Sequence, residues 1–428
     1  MSDQLLAQVK DARERTLCLI QGLDARQMMG PRLDIVNPLR WEIGHTAYFY
    51  EYWVLRQHFG EQPVFPNVDE LYDSINIAHE DRWDLPLPEL ADTLAYMQEV
   101  QARVCRHLED GGVDGKRDYL AQYAVFHEDM HTEAFTYTRQ TLGYPAPAIP
   151  GGRRMDPASD DVSGDVAVPG GGFMLGASPH GGFVFDNEKW GHERQVAPFR
   201  IARTAVSNAQ FAAFVDAGGY AGREWWSDAG WDWLQSQGLD HPVYWRKHED
   251  GWQSRHFDRW QPLRPQAAMI HVSWHEAQAY CRWAGRRLPT ELEWEVAAAG
   301  EPTANGLGLA ESKRRFPWGG EPPAPEFANL DGHALGTIDV GALAAGDSAF
   351  GCRQMIGNVW EWTDTLFEPY PGFEPDMYAD YSQPLFGETR VLRGGGWATR
   401  GRMIRNTWRN YYGEQRNDVF AGFRTCAI

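Results

Sequence analysis

The segment LAQYAVFHEDMHTEAFTYT, residues 120–138, decides how the N-terminal part of this chain folds. A 3.6-residue period puts His127 and His131 one turn apart on a single stripe with Leu120, Tyr123, Ala124, Phe135 and Thr138. That stripe faces a core. Two imidazoles four residues apart on a buried helix face are natural metal ligands, because each offers a neutral nitrogen and the helix sets their separation in advance. The best candidate for a third ligand is His45, in NPLRWEIGHTAYFYEYWVLR, residues 37–56, where Asn37 reads as an N-cap and Pro38 as the first helical position. Trp41, His45, Tyr48, Phe49 and Tyr52 again follow the helical period. A lone inward histidine is usually a hydrogen-bonded core residue; an i,i+4 pair with a third histidine reads instead as a metal centre with open positions.

Working outward, the first 143 residues read as helices over about 4–24, 38–58, 88–109 and 117–142, a four-helix bundle with the histidines on the second and fourth. Residues 144–166 are rich in Pro, Gly, Ser and Asp without periodicity, as a linker would be. From about residue 167 the chain is dominated by glycine, tryptophan and short irregular strands. Three helices there are announced by capping boxes, Ser207 with Gln210, Ser273 with Glu276 and Thr290 with Glu293, and are ended by Gly218, Gly285 and Gly300. The expected fold class is therefore an α bundle followed by an α+β domain.

Length and charge bound the function. The chain has 428 residues, enough for two or three domains, and a formal net charge of −19. So acidic a surface disfavours nucleic acid and anionic membranes as partners. No apolar run approaches the length of a membrane span, and the opening Met-Ser-Asp-Gln has no export signal, so a cytoplasmic protein is expected. Five cysteines without metal spacing, Cys18, Cys105, Cys281, Cys352 and Cys426, read as free thiols. Of nineteen tryptophans, sixteen follow residue 180, which suits an aromatic core and also a pocket for a cationic ligand.

The motifs GGGFMLG (170–176), VSWHEAQAYCRWAG (272–285), RLPTELEWE (287–295), GNVWEW (357–362), LRGGGW (392–397) and AGFR (421–424) make residues 167–428 resemble the formylglycine-generating-enzyme fold, a C-type-lectin-like domain. The N-terminal part resembles the DinB-like bundle, whose His-x-x-x-His-x-Glu signature matches His127, His131 and Glu133. The two together resemble the ergothioneine sulfoxide synthases and their selenoneine-forming relatives. The resemblance implies one non-heme iron(II) on His45, His127 and His131, with O2 used to join a sulfur or selenium donor to C2 of the imidazole of hercynine, trimethylated histidine. Glu133, about 200° around the helix from His131, is then expected to orient a ligand rather than bind the ion.

Departures from the family pattern bear on the donor. Where sulfur enzymes that use γ-glutamylcysteine carry an Arg-x-x-Arg clamp, this chain has His79 and Arg82; where they carry Asn-Trp-Asp followed by an arginine, it has Asn410, Tyr411, Tyr412 and Arg416. Met130 replaces a glutamine before the second helix histidine. Losing an arginine and an aspartate removes charge-assisted bonds worth about 1.5–3 kcal/mol each, which favours a neutral, hydroxyl-rich selenosugar over a zwitterionic thiol, with Arg82 and Arg416 left to donate to hydroxyls. By the same resemblance Trp408, Tyr411 and Tyr412 are the faces for the trimethylammonium, Asn410 holds the carboxylate, and a catalytic tyrosine lies among Tyr370, Tyr378 and Tyr381. Whether Asn329 and Asn358 help bind a structural calcium, as in related folds, stays open.

Three rival readings exist. HEDMH (127–131) also fits the zincin pattern, with Glu128 as general base, although a solvated helix residue is the plainer reading of Glu128. A formylglycine generator would need a cysteine pair before the final Gly-Phe-Arg, and residues 405–410 have none. A lectin-like binding module on a helical adaptor would bind no iron.

Overall fold

Among the described residues of the computed structural model, 2–110, 112–152, 155 and 157–428, the chain divides into two units. One runs to Pro150 and takes in Phe257–Arg259; the other is Gly151–His256 with Trp260–Ile428.

The first unit is a bundle of α1 (Ser2–Ile20), α3 (Leu39–Tyr50), α5 (Leu90–Asp110) and α6 (Gly115–Leu142), with short α2 (Ala25–Met29) and α4 (Val68–Tyr72) in the connections. α1 packs on α5 and α6, and α3 packs on both as well. α6 begins where the Asp114 carboxylate accepts from the amides of Lys116 and Arg117, and it ends at Gly143, whose φ of 66° only glycine adopts cheaply. The cap expected at Asn37 forms differently. Pro38 is the cap residue, extended at ψ 122°, and the Asn37 side chain accepts from Arg82 Nη1 at 2.6 Å instead. α3 is buried on nearly every face and continues as a π-helical turn, Glu51–Arg56, in which the buried Glu51 accepts from the Val64 amide and the Tyr96 hydroxyl. The stretch read as a linker is partly packed: Arg139 donates to the Pro145 carbonyl, and Ile149 is buried.

The second unit adds α7 (Asn208–Asp216), α8 (Asp228–Gln237), α9 (Trp274–Trp283) and α10 (Glu291–Ala299) to small sheets. All three predicted capping boxes form. Gly218 and Gly285 end their helices in the left-handed region, but Gly300 is extended at φ −70° and feeds straight into a strand. One four-stranded sheet is ordered Asp165–Val168, Phe199–Ala202, Cys426–Ala427, Arg286–Arg287; another is Asn410–Tyr412, Arg390–Arg393, Trp360–Leu366, Ala421–Gly422, its last pair parallel. All five cysteines are free and buried.

The charges of the sequence motifs pair with one another inside this unit. Arg424 of AGFR grips Glu361 of GNVWEW through Nε at 2.6 Å and Nη2 at 2.7 Å, and Trp294 Nε1 donates to the same carboxylate at 2.8 Å. Arg393 of LRGGGW reaches Glu291 at 2.8 Å and also Glu295, both from RLPTELEWE, while Arg409 donates to Glu291 at 2.7 Å. These arginines are fully buried. The motifs that carry the resemblance are therefore scaffold, linking the last two motifs to α10 and the central strand. Asn329 and Asn358 are scaffold too: their amides bond each other, and Asn358 also bonds Ile338 and Gln354. Both lobes of the Asn358 carboxamide are thereby used, which argues against its role in a calcium site.

Candidate metal centre

His45 of α3 and His127 and His131 of α6 meet inside the bundle, their ligand atoms all within 4.8 Å of one another. The ring centroids lie 5.0, 5.0 and 4.6 Å apart, close enough for one ion to draw the nitrogens to bonds of about 2 Å. His45 Nδ1 is held by the Tyr72 carbonyl at 2.8 Å, and His131 Nδ1 by Glu42 Oε1 at 2.6 Å. Each partner fixes its ring and leaves Nε2 as the nitrogen for an ion. Tyr72 comes this near because residue 44 is glycine; a Cβ there would sit 2.2 Å from the Tyr72 ring.

Stacking completes the setting. Phe49 lies flat on His127 at 3.8 Å, and Trp41 lies flat on His45 at 4.8 Å, with the Arg82 guanidinium 4.1 Å from the Trp41 ring. Burial, aided by the neighbouring His131, pushes His45 down to about 3; burial and Arg82 push His131 down to about 4, and His127 falls well below its ordinary value. All three are neutral at physiological pH, as ligands must be. Burial raises Glu42 to about 8, with Arg82 opposing it.

Sequence reasoning missed Glu42. Its signal was Glu42-x-x-His45, a spacing that sets carboxylate and imidazole on one helix face. Glu133, expected to orient a ligand, is buried on α6, and Glu42 is a carboxylate that meets His131 directly. Glu42→Gln is therefore expected to weaken iron binding about 10 to 100-fold, as is Glu133→Gln if it orients a ligand; competition against a chromogenic chelator measures both.

The cluster also sets a pH dependence. The histidines carry folded values of about 3 and 4 against an ordinary 6.5, so their stability is present above pH 6.5 and is lost as pH falls towards 4. Glu42 runs the other way, from an ordinary 4.5 to about 8, so its contribution is present below 4.5 and fades as pH rises through 8. Denaturant unfolding of metal-free protein should show the acid-side loss flattened in His127→Phe and the alkaline-side loss flattened in Glu42→Gln.

Glu128 corrects the solvated reading: it is fully buried, accepting from Arg13 Nε and Thr16 Oγ1, each at 2.8 Å. A carboxylate clamped by α1 cannot serve as a zincin base. His79 Nε2 meets the Val36 carbonyl at 2.9 Å, and Met130 is half-buried on α6.

The remaining predicted residues lie in the second unit. Tyr370 is buried, with its hydroxyl 3.3 Å from Glu291 and its ring under Arg409. Tyr378 and Tyr381 are half-buried beside a 3-10 turn, Ala379–Tyr381. Trp408 is buried against Trp360 and Phe185, which removes it as an open cage face. Tyr411 stacks on Phe367 and donates to the Tyr381 carbonyl, and the Tyr412 ring already faces the Arg416 guanidinium. Arg416 is held on both oxygens of Asp418 through Nε and Nη2, at 2.6 and 2.8 Å. Asn410 Oδ1 accepts from the Tyr411 amide, leaving its NH2 to donate.

Comparison with known proteins adds the lineage. Residues 8–135 match the DinB superfamily, and residues 153–427 match the sulfatase-modifying factor enzyme 1-like domain. The chain is 38% identical to the hercynine oxygenase of Mycolicibacterium smegmatis over 425 residues, covering 96% of each, and 38% identical to that of Mycolicibacterium thermoresistibile, covering 98% of this chain and 94% of the relative. This chain belongs to the hercynine oxygenase family. A formylglycine-generating enzyme of Thermomonospora curvata is 36% identical over 274 residues, but that match covers 55% of this chain. The hercynine oxygenase match spans both units, bundle histidines included. No helix among the described residues is long and apolar enough to cross a membrane.

Proposed function

We propose that this protein binds iron(II) through His45, His127 and His131 and uses O2 to form a bond between C2 of the hercynine imidazole and a chalcogen donor, with a selenosugar as that donor. The observation that carries the reading is the convergence of three neutral histidines in a chain 38% identical, over 96% of its length, to a protein named hercynine oxygenase. When bound, the iron supplies open positions for O2 and a soft donor.

The chain's own groups do the rest. The Tyr72 carbonyl and Glu42 orient two ligand rings, while Phe49 and Trp41 wall the centre with apolar surface and keep water out. The Asn410 NH2 is suited to a substrate carboxylate, and Tyr378 or Tyr381 to giving a proton during oxidation. In the reaction the C2 hydrogen and the donor's hydrogen leave with one atom of O2 as water, and the other oxygen atom stays on the chalcogen newly bonded to C2.

The donor reading rests on engaged cations. Arg82 donates to Asn37 and lies over Trp41, Arg416 is held by Asp418, and His79 and Tyr412 stand where an arginine and an aspartate would pair with a γ-glutamyl zwitterion. A neutral sugar loses less by that than a zwitterion does. Iron-loaded protein given hercynine, air and equal selenosugar and γ-glutamylcysteine should make the selenium product faster, about tenfold in kcat/KM for every 1.4 kcal/mol of differential transition-state binding. His79→Arg with Tyr412→Asp should move preference towards γ-glutamylcysteine. A faster sulfur product in the wild type assigns the chain to ergothioneine formation instead.

A further inference from the structure

In the second unit the side chains of Asp186 and Asn187 converge on one hydroxyl, and the backbone of Asp376 lies against the Asp186 carboxylate. Asp186 and Asn187, both fully buried, open a 3-10 turn. Asn187 Nδ2 donates to Ser382 Oγ at 3.0 Å, and that hydroxyl donates to Asp186 Oδ1 at 2.5 Å, so the two side chains converge. Their other oxygens, Asp186 Oδ2 and Asn187 Oδ1, are buried without a hydrogen-bond partner, as is Asp376 Oδ2. Asp376 belongs to the same group. Its other oxygen takes the Lys189 ammonium, and both its charge and its backbone amide act on the Asp186 carboxylate.

Leaving buried acceptors unmet costs several kcal/mol, more where they are charged. All three atoms are oxygens, two of them from carboxylates, with no nitrogen or sulfur among them. Such a set suits a hard cation, whose shell is completed by water and backbone carbonyls. We propose that Asp186, Asn187 and Asp376 form a binding site for a divalent cation of the calcium class, sharing no residue with the histidine centre. Asp376 and Ser382 bracket Tyr378 and Tyr381, so a bound ion would tie down the segment that presents those two tyrosines.

The test uses full-length protein stripped of metal with chelator and kept free of iron. Terbium(III), a calcium stand-in, should bind at one equivalent with emission sensitised by the nearby Tyr381, and calcium should displace it. Calcium should also raise the melting temperature by several degrees, in the wild type and equally in His127→Ala, since a ligand that binds only the folded state stabilises it. Asp186→Asn should abolish both responses. Asp376→Asn, at a half-buried position, should weaken calcium binding at least tenfold, and it decides the matter if Asp186→Asn does not fold. Absence of sensitised emission and of any calcium-dependent melting shift in the wild type, or unchanged responses in the foldable aspartate variants, overturns the site.

Discussion

Alanine at His45, His127 or His131 is expected to leave a folded protein that no longer retains stoichiometric iron and no longer turns over. Removing a residue that only orients a ligand costs roughly 10 to 100-fold in metal affinity, so removing a ligand outright should cost more than about 100-fold. Folding should survive at neutral pH, because burial has already driven off each ring's proton and a neutral cavity replaces a neutral ring, with the Glu42 bond lost as well in His131→Ala. Iron content after desalting, read beside far-ultraviolet circular dichroism, separates the two effects. Stoichiometric iron in folded His45→Ala would remove that residue from the centre and with it the proposed chemistry.

Arg424→Met should cost about 3–5 kcal/mol, because it leaves Glu361 fully buried and uncompensated beside Trp294. Replacing both partners, Arg424→Met with Glu361→Gln, should restore much of that loss, since a buried pair exchanged for neutral groups is often close to neutral. Sixteen of the nineteen tryptophans lie beyond residue 180, so tryptophan fluorescence in urea reports on this unit. Equal destabilisation in the single and double variants would mean that shape, not charge, sets the cost.

How much of this was legible in the sequence follows from the range of each interaction. Capping boxes span three residues, and all three were readable from Ser207, Ser273 and Thr290. The histidine pair of α6 was readable from its i,i+4 spacing, although residues 123–129 are buried all round the helix. α3 was harder, since nearly every one of its residues is buried and the period singles out no face. Glu42 looked like an ordinary acid in a first helical turn, and the Tyr72 carbonyl leaves no mark in any sequence. Glu128 looked solvated because its partners, Arg13 and Thr16, lie more than a hundred positions away. The sheets were illegible for the same reason: Cys426 pairs with both Ile201 and Arg287. The Arg416–Asp418 pair left no mark because a residue two positions on is not a helical neighbour and no spacing rule couples them.

Glu42 and His45 share α3, yet the imidazole that Glu42 grips belongs to α6. The centre is thus stitched crosswise: one helix supplies a ligand of its own and steadies a ligand of its neighbour. Sliding either helix by a single turn, about 5.4 Å, would break the Glu42 bond and scatter the three nitrogens in the same movement. Iron occupancy therefore works as a vernier on helix registration, and a bundle repacked by distant core substitutions would announce its misalignment first as lost metal, before any loss of helix content.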